Sequence, residues 1–261
     1  LRFAAKELRA DKEVALAAVR QRGLALADCA KELQYDREVV LAAVAQNGWE
    51  LNYVPVKMRD KEVVLTAMAS RGDALEMAPE ALRGDREVVL TAVRQNGGAL
   101  EHASMELRSC KDVVLAAVMR DGEALEHAAA ELQADKDVAL EAGRQTGLAL
   151  NHASQQFFVD AALWQEVRPL VQDHWVFRVS TLSGSSCYVV AAGRHSVFNI
   201  LLDVSTKLDI YWGTGCYDSH EKFKLLRGSA ELQLYNATVS WWDLPESEKG
   251  TIIDLTLLVL I

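Results

Sequence analysis

Residues 85–108 read DREVVLTAVRQNGGALEHASMELR, and this phrase returns along the chain with little change. DKEVALAAVRQRG occupies 11–23, DREVVLAAVAQNG 36–48, DKEVVLTAMASRG 60–72, CKDVVLAAVMRDG 110–122 and DKDVALEAGRQTG 135–147. Asp11, Asp36, Asp60, Asp85, Asp135 and Asp160 keep a 25-residue beat, with one 24-residue step and with Cys110 where a further aspartate is due. A fixed period of this size means stacked supersecondary units, each unable to bury its apolar face alone. Six complete units begin at 11, 36, 60, 85, 110 and 135, flanked by partial units.

Within the 85–108 phrase, Asp85 fits a helix N-cap whose carboxylate accepts first-turn amides, and Glu87 complements the helix dipole. Val88, Val89, Leu90, Ala92 and Val93 are apolar almost all round, as a helix sandwiched between neighbours must be. Gly97, with its equivalents Gly23, Gly48, Gly72, Gly122 and Gly147, is expected to stop that helix in a left-handed C-terminal cap. Leu100, Ala103 and Leu107 then recur at spacings of three and four, which predicts a second helix of about ten residues. The second unit is one residue short and holds Pro55, so a kink or a non-helical element is expected there. At Asp160–Pro169 the glycine is missing and the array is expected to end.

The repeats resemble a family of tandem repeats known as a domain of unknown function, whose hallmark is D-[KR]-E-V-V-L-x-A-V-x-x-N-G followed by A-L-x-x-A-S-x-E-L. The resemblance covers residues 1 to about 160. It implies a helical repeat and brings no established activity.

Half of the 261 residues are hydrophobic, ample for real cores. A net charge of −9 argues against nucleic acid or an anionic membrane surface as partner, since both need clustered Lys and Arg. No apolar run reaches the length of a membrane span, so no membrane insertion is expected. Four cysteines without a repeating spacing fit a reduced intracellular compartment, with the cytoplasm as the expected location. The opening LRFAAKEL (1–8) reads as the second half of an earlier repeat, so the chain is expected to be a piece of a longer protein.

After residue 172 the periodicity changes, giving an expected α-solenoid over 1–172 and a second domain over 173–261. WVFRVSTL (175–182) and SSCYVVAA (185–192) alternate like strands around Ser183-Gly184. Ser196 can cap a helix over VFNILLDVSTKL (197–208). KFKLLRG (222–228), AELQLYN (230–236) and IIDLTLLVLI (252–261) are further strands, making an α+β domain.

Several of these stretches resemble ubiquitin: VSTLSG its first strand and turn, KLLRGSAEL its third strand, IDLTLLVLI its last. The resemblance implies a β-grasp fold in which Trp175, Phe177 and Val179 face the core with Cys187, Val189, Ala191, Leu255 and Leu257. The given sequence ends at Ile261 without a Gly-Gly pair, so an integral domain is expected and not a conjugated modifier. The protein-recognition patch of ubiquitin would fall on Leu182, Leu226 and Leu258, with Thr256 in the place of its histidine and Lys224 on its basic rim. Ordinary exposed leucines, or leucines packed on the repeats, are the alternative reading.

Three constellations bear on chemistry. His102, His127 and His152 recur at one repeat position, but equivalent residues of stacked hairpins stand about 10 Å apart, whereas ligands of one metal lie about 2 Å from it. Cys216, Asp218 and His220 place a thiol near an imidazole, yet no motif supplies an oxyanion hole. The periodic aspartates read as caps and not as catalytic acids. No phosphate loop, nucleophile elbow or zinc-binding helix motif is present.

The expected function is therefore a non-enzymatic protein–protein interaction scaffold or adaptor, without cofactor or metal and with protein partners. Two alternatives stand beside it. One is a structural accessory subunit of a large assembly, and the other is a regulatory fragment of an enzyme whose catalytic domain lies upstream.

Overall fold

In the computed structural model the leading segment of each of the six complete units forms a ten-residue helix. These lead helices are Lys12–Gln21, Arg37–Gln46, Lys61–Ser70, Arg86–Gln95, Lys111–Arg120 and Lys136–Gln145. The structure describes residues 1–21, 23–172, 175–181, 186–191, 223–227, 230–231, 234–235, 238–239 and 252–259. It divides into two units, Leu1–Gln145 and Thr146–Ile261. The division falls upstream of residue 172, where the sequence pattern changes from helical to extended, so the last half-repeat groups with the sheet.

In the first unit the core is the repeat itself. Val88, Val89, Ala92 and Val93 are fully buried, as are their equivalents Val63, Val64, Ala67 and Met68 one repeat earlier. Leu51, Leu75, Leu100 and Leu125 are likewise sealed from solvent. Each such leucine contributes roughly 1.5–3 kcal/mol by leaving water.

The second half of the repeat departs from expectation, because no second ten-residue helix forms. Gly97–His102 is a 3₁₀ helix, followed by an extended break at Ala103 and a single α-turn at Met105–Arg108. Gly72–Met77 with Glu80–Arg83, and Gly122–His127 with Ala130–Gln133, repeat the plan. The spacing of three from Gly97 to Leu100 to Ala103, all buried, is the 3₁₀ period, in which residues i and i+3 eclipse. Four-residue spacing enters only at Leu107, beyond the break. The break also frees an amide for the neighbouring repeat. The Ser104 N–H donates to the Arg83 carbonyl at 3.0 Å, Ala129 to Arg108 at 3.0 Å, and Ala30 to Arg9 at 2.9 Å.

The glycine expectation is also corrected. The lead helices end on Asn47, Arg71, Asn96 and Asp121, all extended, and none of Gly48, Gly72 and Gly97 is left-handed. What these glycines supply is room. A Cβ on Gly48 would lie 2.5 Å from the Ala67 carbonyl oxygen, and one on Gly97 2.6 Å from that of Ala117. Each glycine thus lets its chain lie against the lead helix of the following repeat.

Pro55 does not interrupt a helix. It occupies the break position taken by Pro79, Ser104 and Ala129 elsewhere, and the element after it is a 3₁₀ turn, Val56–Met58. Neither proline has an N–H for the inter-repeat bond. There the Arg59 guanidinium ties the repeats instead, with Nε on the Val54 carbonyl at 2.9 Å and one terminal nitrogen on that of Met77 at 2.8 Å.

In the second unit, Asp160 caps a helix over Ala161–Val167, continued by a 3₁₀ turn over Arg168–Val171. Among the described residues seven strands follow: β1 Trp175–Thr181, β2 Ser186–Ala191, β3 Phe223–Arg227, β4 Ala230–Glu231, β5 Leu234–Tyr235, β6 Thr238–Val239 and β7 Ile252–Val259. AELQLYN is thus two short strands and not one. The main sheet runs β2-β1-β7-β3-β4, while β5 and β6 pair separately. β1 is parallel to β7 and antiparallel to β2, and β3 is antiparallel to β7. The register pairs Trp175 with Ala191, Phe177 with Val189, and Val179 with both Cys187 and Leu255. Edge strand β2 is held by Gln155, whose Oε1 accepts the Tyr188 N–H at 2.5 Å, and the Phe158 ring stacks on that of Tyr188 at 5.3 Å. The helix expected over 197–208 lies outside the described residues.

Candidate functional site

The two ends of the lead helices differ in how completely their polar groups are used. At the N-terminal end the aspartate is a cap, as its spacing predicts. The Asp85 carboxylate accepts the Glu87 and Val88 amides at 3.0 and 3.2 Å, and Asp36, Asp60 and Asp135 act alike.

The same carboxylates do a second job that the sequence reading missed. Lys61 Nζ lies 2.8 Å from both Asp85 and Glu87 of the next repeat. Lys12 grips Asp36 and Glu38 at 2.9 and 3.0 Å, and Lys111 grips Asp135 and Asp137 at 2.9 and 2.7 Å. Arg37 pairs with Asp60 at 2.6 Å and also with Glu62. Lys12, Arg37, Lys61 and Lys111 therefore each clamp the first and third residues of the following unit. The signal was present as the recurring D-[KR]-[ED] triplet, but only stacking shows where its charges meet. The lysine bonds hold the Asp36 and Asp85 carboxyls below the usual carboxylate range, and the Arg37 bond does the same for Asp60.

Cys110 breaks the pattern. It makes no side-chain cap, its Sγ lies 2.8 Å from Asp112, and Arg86 pairs with Asp112 alone.

At the C-terminal end, successive repeats line an open groove of about 780 Å³, within the size range of ligand clefts. Repeat 2 contributes Gln46 and Asn47, and repeat 3 contributes Ser70, Arg71 and Asp73. Repeat 4 adds Gln95 and Asn96, and repeat 5 adds Arg120 and Asp121. Asn47, Asn96 and Asp121 cap the following 3₁₀ helices, accepting the amides of Trp49, Gly98 and Glu123 at 3.1–3.2 Å. Gln95 Oε1 accepts the Gly72 amide at 2.5 Å, and the Asn96 amide donates to Asp73. Arg120 is anchored through Nε to the Gln95 carbonyl at 3.2 Å, and Arg71 lies over the Trp49 ring at 5.9 Å. Neither arginine pairs with a carboxylate among the described residues. Sequence reasoning did not single out this groove, because its residues are polar and differ from repeat to repeat.

Of the patch residues, Leu182 lies outside the described residues. The other four belong to one strand pair, where the register sets Lys224 opposite Leu258 and Leu226 opposite Thr256. His102, His127 and His152 each close a 3₁₀ helix in successive repeats. Among the described residues no three His, Cys, Asp or Glu side chains converge as a metal site. Cys216, Asp218 and His220 fall outside the described residues. No helix among those described is long and apolar enough to cross a membrane.

The family model described as Domain of unknown function (DUF4116) matches residues 11–59, 60–108, 85–133 and 110–158. Each match spans two of the repeats, and the overlapping matches step by one. No curated protein and no solved structure matches the chain.

Proposed function

This chain belongs to the family described as Domain of unknown function (DUF4116), and since that membership carries no activity, we propose from its surfaces that it is a non-enzymatic protein–protein interaction scaffold. The observation that carries this reading is the asymmetry of the repeat. Its N-terminal edge spends its charges on joining neighbours, whereas its C-terminal edge leaves two arginines without a carboxylate in an open groove. Stacked repeats use such continuous edges as binding surfaces.

The region 173–261 is read as an integral ubiquitin-like domain. Support comes from the sheet, in which the first and last strands are central, adjacent and parallel. Of the residues assigned to the core from sequence, Trp175, Phe177, Val179, Cys187, Val189, Ala191 and Leu255 are register partners within the set, while Leu257 pairs with Thr181 and Leu225. Lys224, Leu226, Thr256 and Leu258 then supply a recognition patch.

The test is affinity capture from native extract with the whole chain as bait, beside Leu226→Asp and Thr256→Asp variants whose folding is checked by circular dichroism. Partners lost with both variants support the patch, and partners kept by both remove it. Recovery only as a fixed-stoichiometry component of one assembly favours a structural subunit. An upstream catalytic domain in the full-length protein favours an enzyme's regulatory region.

A further inference from the structure

We infer that the groove at the C-terminal ends of the lead helices of repeats 2–5 binds an extended acidic peptide, its carboxylates seated on Arg71 and Arg120. The inference rests on the scaffold reading and assigns it a ligand class and a site.

The groove offers donors in excess of acceptors. The side-chain oxygens of Asn47, Gln95 and Asn96 are engaged by backbone amides of the fold. The Asn47 and Gln95 amide nitrogens have no partner among the described residues, and neither do the terminal nitrogens of Arg120. Of the two carboxylates of the groove, Asp73 accepts the Asn96 amide and Asp121 the Glu123 N–H, each through one oxygen. Free N–H groups call for a ligand rich in acceptors, and a peptide supplies a carbonyl at every residue.

Charge narrows the class. On the opposite edge Lys12, Arg37, Lys61, Arg86 and Lys111 are all committed to carboxylates. Other arginines, Arg59 and Arg94 among them, also lack a carboxylate among the described residues, so placement in the groove is what sets Arg71 and Arg120 apart. A cation at a helix C-terminus also complements the helix dipole, and the exposed Arg94 serves in that way. Arg71 and Arg120 differ from it because both line the groove and each has one contact there. The Arg71 guanidinium carbon lies 5.9 Å from the centre of the Trp49 ring, and Arg120 Nε donates to the Gln95 carbonyl. An anchored guanidinium with open N–H groups is suited to bidentate carboxylate binding.

Spacing makes the inference quantitative. The two arginines stand two repeats apart, about 20 Å if stacked helices keep their usual separation. An extended chain covers that distance in roughly six residues, and Gln95 lies between to meet the intervening carbonyls.

The test is selection of random twelve-residue peptides displayed on phage, against the immobilised whole chain. Winners are then measured as fluorescein-labelled peptides by anisotropy. Enriched sequences should carry two acidic residues about six apart. Their affinity should fall at least about tenfold with Arg120→Gln, and further with Arg71→Glu added. Arg94→Glu, outside the groove, should leave it unchanged. No enrichment, winners without acidic residues, or equal binding by the Arg71→Glu/Arg120→Glu chain would each overturn the inference. So would preferential binding of a single-stranded oligonucleotide that the same variants abolish. If native partners are still captured in those cases, the groove assignment alone is lost and the scaffold reading stands.

Discussion

Glu50 reaches back across a repeat boundary, and its Oε2 accepts the backbone N–H of Leu26 at 3.2 Å while Oε1 has no partner. The residue is fully buried at a position filled by alanine in the other repeats, among them Ala74, Ala99 and Ala124. Burial pushes its carboxyl up to about 7, opposed by the Leu26 amide and reinforced by Asp28. Cys29 of the same neighbouring segment is raised as well, mainly by its own burial. The lead helices on either side present only apolar groups from their buried faces, Val39, Val40, Ala43 and Val44 on one and Val63, Val64, Ala67 and Met68 on the other.

Stability of the repeats should therefore fall as pH rises from about 4.5 to 7. A raised carboxyl favours the protonated folded form, so its contribution is complete below the unfolded pKa and is lost through the folded one. Glu50→Gln keeps an acceptor for Leu26 and removes the charge. Thermal melts between pH 4 and 8 should show this variant several degrees more stable at pH 8 and little changed at pH 4. The limit is about 3 kcal/mol, from the displacement of the pKa. Parallel wild-type and variant profiles would remove Glu50 as the cause.

Below pH 4 the sign reverses. Asp36, Asp60 and Asp85 have depressed carboxyls, so the stability they contribute is present above their unfolded value and disappears as pH falls through the folded one. Asp85→Ala removes a cap and the anchor of Lys61 together, and should cost about 1–2 kcal/mol in urea unfolding. Lys61→Met should cost less, under about 1 kcal/mol, because exposed ion pairs are weak. A double-mutant cycle between them separates the clamp from the cap.

Cys110 is the natural experiment in the other direction. Cys110→Asp restores a cap to the lead helix of repeat 5 and returns to Arg86 the partner its counterparts have. Urea midpoints should rise, by about 1 kcal/mol of stability. No gain would mean that the Cys110–Asp112 contact already does the work of the cap.

Gly97 and Gly98 are adjacent and should behave oppositely. A Cβ on Gly97 meets the Ala117 carbonyl and, at 2.8 Å, the Asp121 Cβ, whereas one on Gly98 finds only Asn96 Oδ1 at 3.5 Å. Gly97→Ala should destabilise by about 1–3 kcal/mol through overpacking. Gly98→Ala should be neutral or gain about 0.4–1 kcal/mol through the unfolded chain. Equal costs would point to backbone conformation in place of close approach.

Gln155 guards a sheet edge. Gln155→Ala should speed amide exchange at Tyr188, whose N–H loses its acceptor, with little change in the core of the first unit.

The period, the lead helices, their aspartate caps and their buried Val-Val-x-x-Ala-Val faces were legible in the sequence, because each depends on residues within one turn or on a repeat that displays itself. The strands β1, β2, β3 and β7 were legible for the same reason, as alternation is local. The second half of the repeat was not. The spacing of three and four fits an α-helix, and only packing against the neighbour selects 3₁₀ winding with a break that donates the Ser104 amide to Arg83. The glycines were recognised as stops, yet their reason is a carbonyl one repeat away, which no local reading contains. The ion-pair ladder, the buried carboxyl of Glu50 and the groove carrying Arg71 and Arg120 likewise join residues about 25 or 50 positions apart. Sequence determined what each unit is, because helix propensity and capping act over a few residues. Tertiary structure decided what the units do to one another, because charge pairing, desolvation and steric fit act between surfaces brought together by stacking.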